Sequence, residues 1–127
     1  MDETRPRIAV LDDESAVRKA FERLMQSSGM SVKGFASGAE FIAGMQSDTW
    51  DCLILDLHMP GVNGFEVQEW LKASGSPLPV IIITGHDTPS ARARAVAGGA
   101  CAYLLKPVDE KSLLGAIAEA LRAGRAR

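Results

Sequence analysis

The run Cys52-Leu53-Ile54-Leu55-Asp56-Leu57-His58-Met59-Pro60-Gly61 constrains this chain more than any other stretch. A short apolar segment ends in a carboxylate, and a Pro-Gly turn follows at once. Apolar runs of about four to eight residues, bounded by turn signals, read as strands buried on both faces of a parallel sheet. A charge directly after such a strand stands at its C-terminal mouth, where open α/β sheets take up ligands. Asp56 is therefore expected in a site and not in a core.

The same arrangement recurs along the chain. Ile8-Ala9-Val10-Leu11 reads as a first strand, with Asp12-Asp13-Glu14 directly behind it. A helix is predicted from about Ser15 to Ser28, with Val17, Ala20, Phe21, Leu24 and Met25 on one face and Gly29 as its stop. Met30 to Phe35 is a less apolar strand and is assigned to a sheet edge. Ser37 and Glu40 have the spacing of a capping box for a second helix that buries Phe41, Ile42 and Met45. Asn63, with Glu66 three residues on, opens a third helix whose apolar side is Phe65, Val67, Trp70 and Leu71. Val80-Ile81-Ile82-Ile83 is the strongest strand and ends in Thr84-Gly85. Thr88-Pro89 heads a fourth helix with a thin apolar face, ending at Gly98-Gly99. Ala102 to Leu105 forms a fifth strand ending in Lys106-Pro107. Asp109 caps a fifth helix with a stripe of Leu113, Leu114, Ile117 and Leu121. Strands alternating with helices in this way predict a doubly wound α/β fold, a parallel sheet covered on both faces.

Length and composition limit the function classes. A chain of 127 residues, 46% hydrophobic and 24% charged, suits one self-sufficient domain, here residues 6–123 with a tail or linker start at 124–127. A net charge of −2 argues against binding nucleic-acid phosphates directly. Cys52 and Cys101 are read as small buried hydrophobes in a reducing compartment. The first five residues are too polar for a signal peptide, and no apolar run approaches the roughly 18 residues of a membrane helix. A cytoplasmic protein without a membrane partner is expected. Trp50 and Trp70 are read as packing residues.

In a parallel sheet the strand ends share one rim. Asp12, Asp13, Asp56, Thr84 and Lys106 therefore converge from nearly a hundred positions of sequence. Two carboxylates 4 Å apart repel by about 4 kcal/mol at an effective dielectric of 20. Lys106 can neutralise one charge, and the remaining excess suits a hard divalent ion such as Mg2+, held by carboxylates and a phosphate. One Asp56 oxygen is then left free to attack phosphorus, a known form of nucleophilic catalysis. Thr84 and Lys106 are placed to stabilise the phosphoryl oxygens.

These motifs together resemble a response-regulator receiver domain of two-component signalling over about residues 6 to 123. The motifs are Asp12-Asp13, Asp56-x-x-Met59-Pro60-x-x-x-Gly64, Thr84-Gly85 and Lys106-Pro107. The stretch Ile83-Thr84-Gly85-His86 looks most like receivers of transcriptional regulators. The resemblance implies a flavodoxin-like five-stranded sheet in the order 2-1-3-4-5 with five helices. It implies that Asp56 is phosphorylated by a sensor histidine kinase, with Mg2+ held by Asp12, Asp13, Asp56 and the backbone carbonyl of His58. It further implies Thr84 as switch hydroxyl, Tyr103 as aromatic switch, Lys106 as partner of Asp56 or its phosphate, and a cis peptide before Pro107. His58 and His86 occupy positions that tune hydrolysis of the acyl phosphate. The resemblance also implies that the surface of the fourth helix, fifth strand and fifth helix is the changing output face and a homodimer contact. A C-terminal DNA-binding output domain beyond this chain is expected. Arg18, Lys19 and Arg23 are candidates to face the kinase, and Arg92 and Arg94 to make dimer ion pairs.

Three other functions compete. A receiver-like interaction module that is never phosphorylated lacks the acid pair, the acceptor or the lysine, all of which are present here. An Mg2+-dependent aspartyl-nucleophile phosphatase resembling the haloacid dehalogenase family wants an acid two residues after the nucleophile, where this chain has His58. A nucleotide- or flavin-binding module wants a glycine-rich first strand–helix junction, which is absent.

Overall fold

The computed structural model describes residues 5–125; the rest of the polar N-terminal stretch and the last two tail residues lie outside the described residues. The described residues form strands β1 (Arg7–Leu11), β2 (Ser31–Phe35), β3 (Cys52–Asp56), β4 (Val80–Thr84) and β5 (Ala102–Leu105). Helices α1 (Ser15–Ser27), α2 (Gly38–Gly44), α3 (Gly64–Ala73), α4 (Pro89–Ala97) and α5 (Glu110–Arg125) connect and follow them. The strands make one parallel sheet in the order β2-β1-β3-β4-β5.

Alternation along the strands divides two cores. Ala9, Leu11, Leu53, Leu55, Val80 and Ile82 join Phe41 of α2, Val67 and Leu71 of α3 and Ala95 of α4. Ile8, Val10, Cys52, Ile54, Ile81 and Ile83 meet Phe21 and Met25 of α1 and Leu113 and Ile117 of α5. Helices on both faces explain why β1, β3 and β4 are near-continuous apolar runs. β2, whose middle is partly exposed, lies at an edge, and β5 closes the other.

The helix starts follow local chemistry. Asn63 and Glu66 form a reciprocal capping box, each bond 2.9 Å long. Thr88 Oγ1 accepts the Ala91 N–H at 3.0 Å with Pro89 in the first turn. Asp109 Oδ2 accepts the Ser112 N–H at 2.9 Å. At α2 the expected box is incomplete. Ser37 Oγ accepts the Glu40 N–H, but the Glu40 carboxylate takes the N–H of Ala36, the first amide past the end of β2.

Several packing expectations need correction. Ala20 is exposed, because it lies about 60° around α1 from the Val17–Phe21–Leu24 stripe. Cys101 is exposed in the turn before edge strand β5, its thiol donating to the Val80 carbonyl, whereas Cys52 is buried. Gln68 is buried on the inner side of α3, and its Nε2 donates to the Ala95 carbonyl of α4 at 2.9 Å. Helix α5 runs on to Arg125, past the boundary expected at 123. Among the residues of α4 only Ala95 is buried, as its thin apolar face suggested.

Candidate functional site

Parallel strands bring their C-terminal ends to one rim. Asp56 closes β3 opposite Ile83, and Thr84 closes β4 opposite Leu105, the residue before Lys106. Asp12 follows β1 and is fully buried, Asp13 beside it is exposed, and Asp56 is 3% exposed. The loop after β3 must fold back over this strand end. Gly64 permits that: a Cβ there would lie 2.6 Å from the Asp56 carbonyl oxygen and 2.7 Å from Leu57 Cα. Its own N–H donates to the Leu57 carbonyl at 3.0 Å. Gly61, at φ +73°, makes the turn that lets the loop return.

One oxygen from each of Asp12, Asp13 and Asp56 lies within 4.8 Å of the others. Asp12 Oδ1 accepts the Glu14 N–H at 2.9 Å. Its Oδ2 stands 2.9 Å from Lys106 Nζ, yet off the line of a hydrogen bond. Lys106 Nζ donates to Glu14 Oε1 at 3.2 Å and approaches Asp56 Oδ2 to 3.6 Å. Asp56 Oδ1 accepts a long bond, 3.4 Å, from the His58 N–H. Burial, then the Asp12 charge, push the Asp56 carboxyl up to about 6; Lys106 and the His58 N–H only partly offset them. Burial disfavours the Lys106 ammonium, but the surrounding carboxylates more than compensate and hold its pKa above the ordinary lysine value. The all-oxygen donor set, with a buried Asp12 oxygen lacking a hydrogen bond, fits a hard divalent ion such as Mg2+.

The other expected residues surround this cluster. Thr84 is fully buried, and its Oγ1 accepts the His86 N–H at 3.0 Å, so its own proton remains to be donated. His58 and His86 stand side by side on the exposed lip, ring centres 5.4 Å apart, with His58 Nε2 3.3 Å from the His86 carbonyl. The Lys106–Pro107 peptide is cis. Tyr103 is part-buried on β5, and its hydroxyl donates to Asp87 Oδ1 at 3.0 Å under the Arg92 guanidinium, 4.5 Å from the ring centre. Arg18 donates to the Asp12 carbonyl at 2.8 Å. Arg92 and Arg94 are engaged within the chain, by Asp87 and Tyr103 and by Glu69 and Phe65 respectively.

Two contacts were missed from the sequence. Glu14 shares Lys106, and Asp87 holds Tyr103. Position offered a signal for both, since Glu14 continues the acid pair past β1 and Asp87 follows Thr84 by three residues.

The family model described as response regulator receiver domain matches residues 8–118. The chain belongs to the response-regulator receiver family. This receiver is 40% identical over 115 residues to the response regulator protein TodT of Pseudomonas putida, covering 91% of this chain and 51% of TodT. It is 36% identical over 122 residues to the transcriptional regulatory protein FixJ of Azorhizobium caulinodans, covering 95% of this chain and 57% of that protein. The receiver thus spans about half the length of these curated relatives. Among solved structures, the response regulator StyR superposes with a TM-score of 0.89 at 35% identity, over 97% of this chain and 62% of that one. Full-length FixJ from B. japonicum gives 0.87 at 32% identity, over 94% and 59%. The Vibrio cholerae chemotaxis protein CheY4 gives 0.86 at 26% identity, over 92% and 99%. Receivers of this family serve two-component signalling, and these curated relatives include transcriptional regulators. No helix among the described residues is long and apolar enough to cross a membrane.

Proposed function

We propose that the receiver is a phosphorylation-dependent switch whose acceptor is Asp56. The observation that carries this reading is a nearly buried carboxylate at a strand end, its Oδ2 3.6 Å from Lys106 Nζ and its neighbours acidic. An Asp56 oxygen attacks the phosphorus of a phosphohistidine on a sensor kinase. The new O–P bond forms as the P–N bond breaks, and the leaving imidazole takes up a proton. Lys106 then donates to one phosphoryl oxygen and Thr84 Oγ1 to another. Asp12, Asp13, Asp56 and the His58 carbonyl are the residues to hold Mg2+, which when bound neutralises charge on the phosphoryl oxygens. His58 and His86 at the lip control how easily water reaches the acyl phosphate.

Recruitment of Thr84 opens space into which Tyr103 turns, leaving Asp87 and altering the face of α4, β5 and α5. This is a local charge event that biases a two-state element. The altered face acts on a second copy of the chain or on a C-terminal DNA-binding output domain, in the cytoplasm. The receiver is a regulatory domain that catalyses at most its own phosphorylation and dephosphorylation.

The test is incubation with Mg2+ and a small phosphodonor, with Asp56→Asn as control. A mass gain of one phosphoryl group that the control lacks is expected. No gain would favour the unphosphorylated interaction module, and turnover of an external phosphate ester would favour the phosphatase.

A further inference from the structure

Lys106 does not rest on the acceptor. Its ammonium lies within 4 Å of three carboxylates: 2.9 Å from Asp12, 3.2 Å from Glu14 and 3.6 Å from Asp56. Its shortest contact is with the buried Asp12 Oδ2, and it donates a hydrogen bond to the exposed Glu14 Oε1. The lysine is therefore drawn toward the β1–α1 side of the cleft, and the oxygen that is to react is the farthest of the three.

Among the described residues, the Glu14 carboxylate has no partner besides Lys106. It is the N-cap residue of α1, yet its side chain makes no capping bond. Its backbone is pinned separately, the N–H by Asp12 Oδ1 at 2.9 Å and the carbonyl by the Arg18 N–H at 3.0 Å. The carboxylate is 62% exposed, so releasing it to water is cheap. A phosphoryl group on Asp56 brings a charge near −2, enough to outbid a solvated carboxylate for the ammonium.

We propose that Glu14 is a positioning residue for Lys106, holding the ammonium off Asp56 until a phosphoryl group arrives. This rests on Asp56 being the acceptor. Competition from Glu14 then slows phosphoryl uptake and shortens the life of the product, because the lysine always has another seat.

The experiment compares the parent with Glu14→Gln, each also in a Lys106→Met background. A small phosphodonor with Mg2+ supplies the phosphoryl group, and mass spectrometry follows uptake and loss. With Lys106 present, Glu14→Gln should speed uptake and slow loss by roughly two- to five-fold, the range an exposed ion pair can supply. In the Lys106→Met background both effects should disappear. Their persistence there would mean that Glu14 acts by repelling the anionic donor directly, and the proposal would be overturned. A second readout needs neither metal nor phosphate: the ε-methylene resonance of Lys106 in 13C-lysine-labelled protein, assigned by its loss in Lys106→Met. Glu14→Gln should shift it. An unmoved resonance in a protein that does take up phosphate refutes the role of Glu14 alone. A parent that takes up no phosphate refutes the acceptor reading, while the resonance still reports whether Glu14 holds the lysine.

Discussion

Asp56 carries a measurable signature of its surroundings. Its carboxyl ionises near 3.8 unfolded and near 6 in the fold, so between those values the native state binds the extra proton. Its contribution is fully present below about pH 4 and is lost as pH rises through about 6, where the buried charge must form. Asp56→Asn removes that dependence. In metal-free protein the variant should match the parent near pH 4 and exceed it by up to about 3 kcal/mol at pH 7 to 8, by denaturant melts at each pH. Parallel curves would contradict the assigned electrostatics. Tyr103, the single tyrosine of the chain, offers a second signature. Burial, then its bond to Asp87, hold the phenol above the ordinary value of 10.0. Asp87→Asn should lower the midpoint of phenolate absorbance toward that value, and an unchanged midpoint would show that the bond is not kept in solution. Asp12, Asp13, Asp56 and Lys106 were legible because strand ends fix backbone positions. The bonds of Lys106 to Glu14 and of Tyr103 to Asp87 were not, because they depend on how far two side chains reach across separate elements.

Elements differ in how much tolerance they leave. A methyl at Gly64 meets backbone atoms of Asp56 and Leu57, which cannot move aside as a flexible side chain would. Gly64→Ala should therefore cost about 1–3 kcal/mol in denaturant melts and disturb phosphoryl uptake at Asp56. Full stability in this variant would mean that the loop can approach by another route. Helix α4 contrasts with it, resting on the sheet through Ala95 and on α3 through the amide of Gln68. Its amides should exchange with solvent faster than those of α1 and α5 in hydrogen-exchange measurements. Helix starts at Asn63, Thr88 and Asp109 were readable because a cap is a local bond between near neighbours. The burial of Gln68 was not, since a polar residue on an apolar side declares itself only when the facing carbonyl is known. Cys101 misled for the same reason: exposure at a sheet edge belongs to the assembled fold.

For the whole molecule, an acidic site at one rim is joined to a side face with unusual exposure. Val96 on α4 is 59% exposed and Leu105 on β5 is 46% exposed, large apolar groups that the core leaves uncovered. If that face pairs two copies after phosphorylation, sedimentation should show the phosphorylated receiver shifting toward dimer. Leu105→Asp should abolish the shift while leaving phosphoryl uptake intact, and a monomer under both conditions would assign the face to another partner. A parallel sheet was legible from the alternation of strands and helices, while its order came only with the resemblance to receivers. The partner of the face was not, since the curated relatives continue for about as many residues again.

The order of the strands has a consequence for rewiring such a protein. Asp56 belongs to the middle strand and Tyr103 to the outermost, with β4 alone between them, a lateral span of about 10 Å. In the proposed switch, the hydroxyl at the tip of β4 is the relay across that gap. Lys106, at the end of β5, belongs with the chemistry although it stands outboard of β4, so the residues open to exchange for a different audience are those of α4, β5 and α5 that do not seat it.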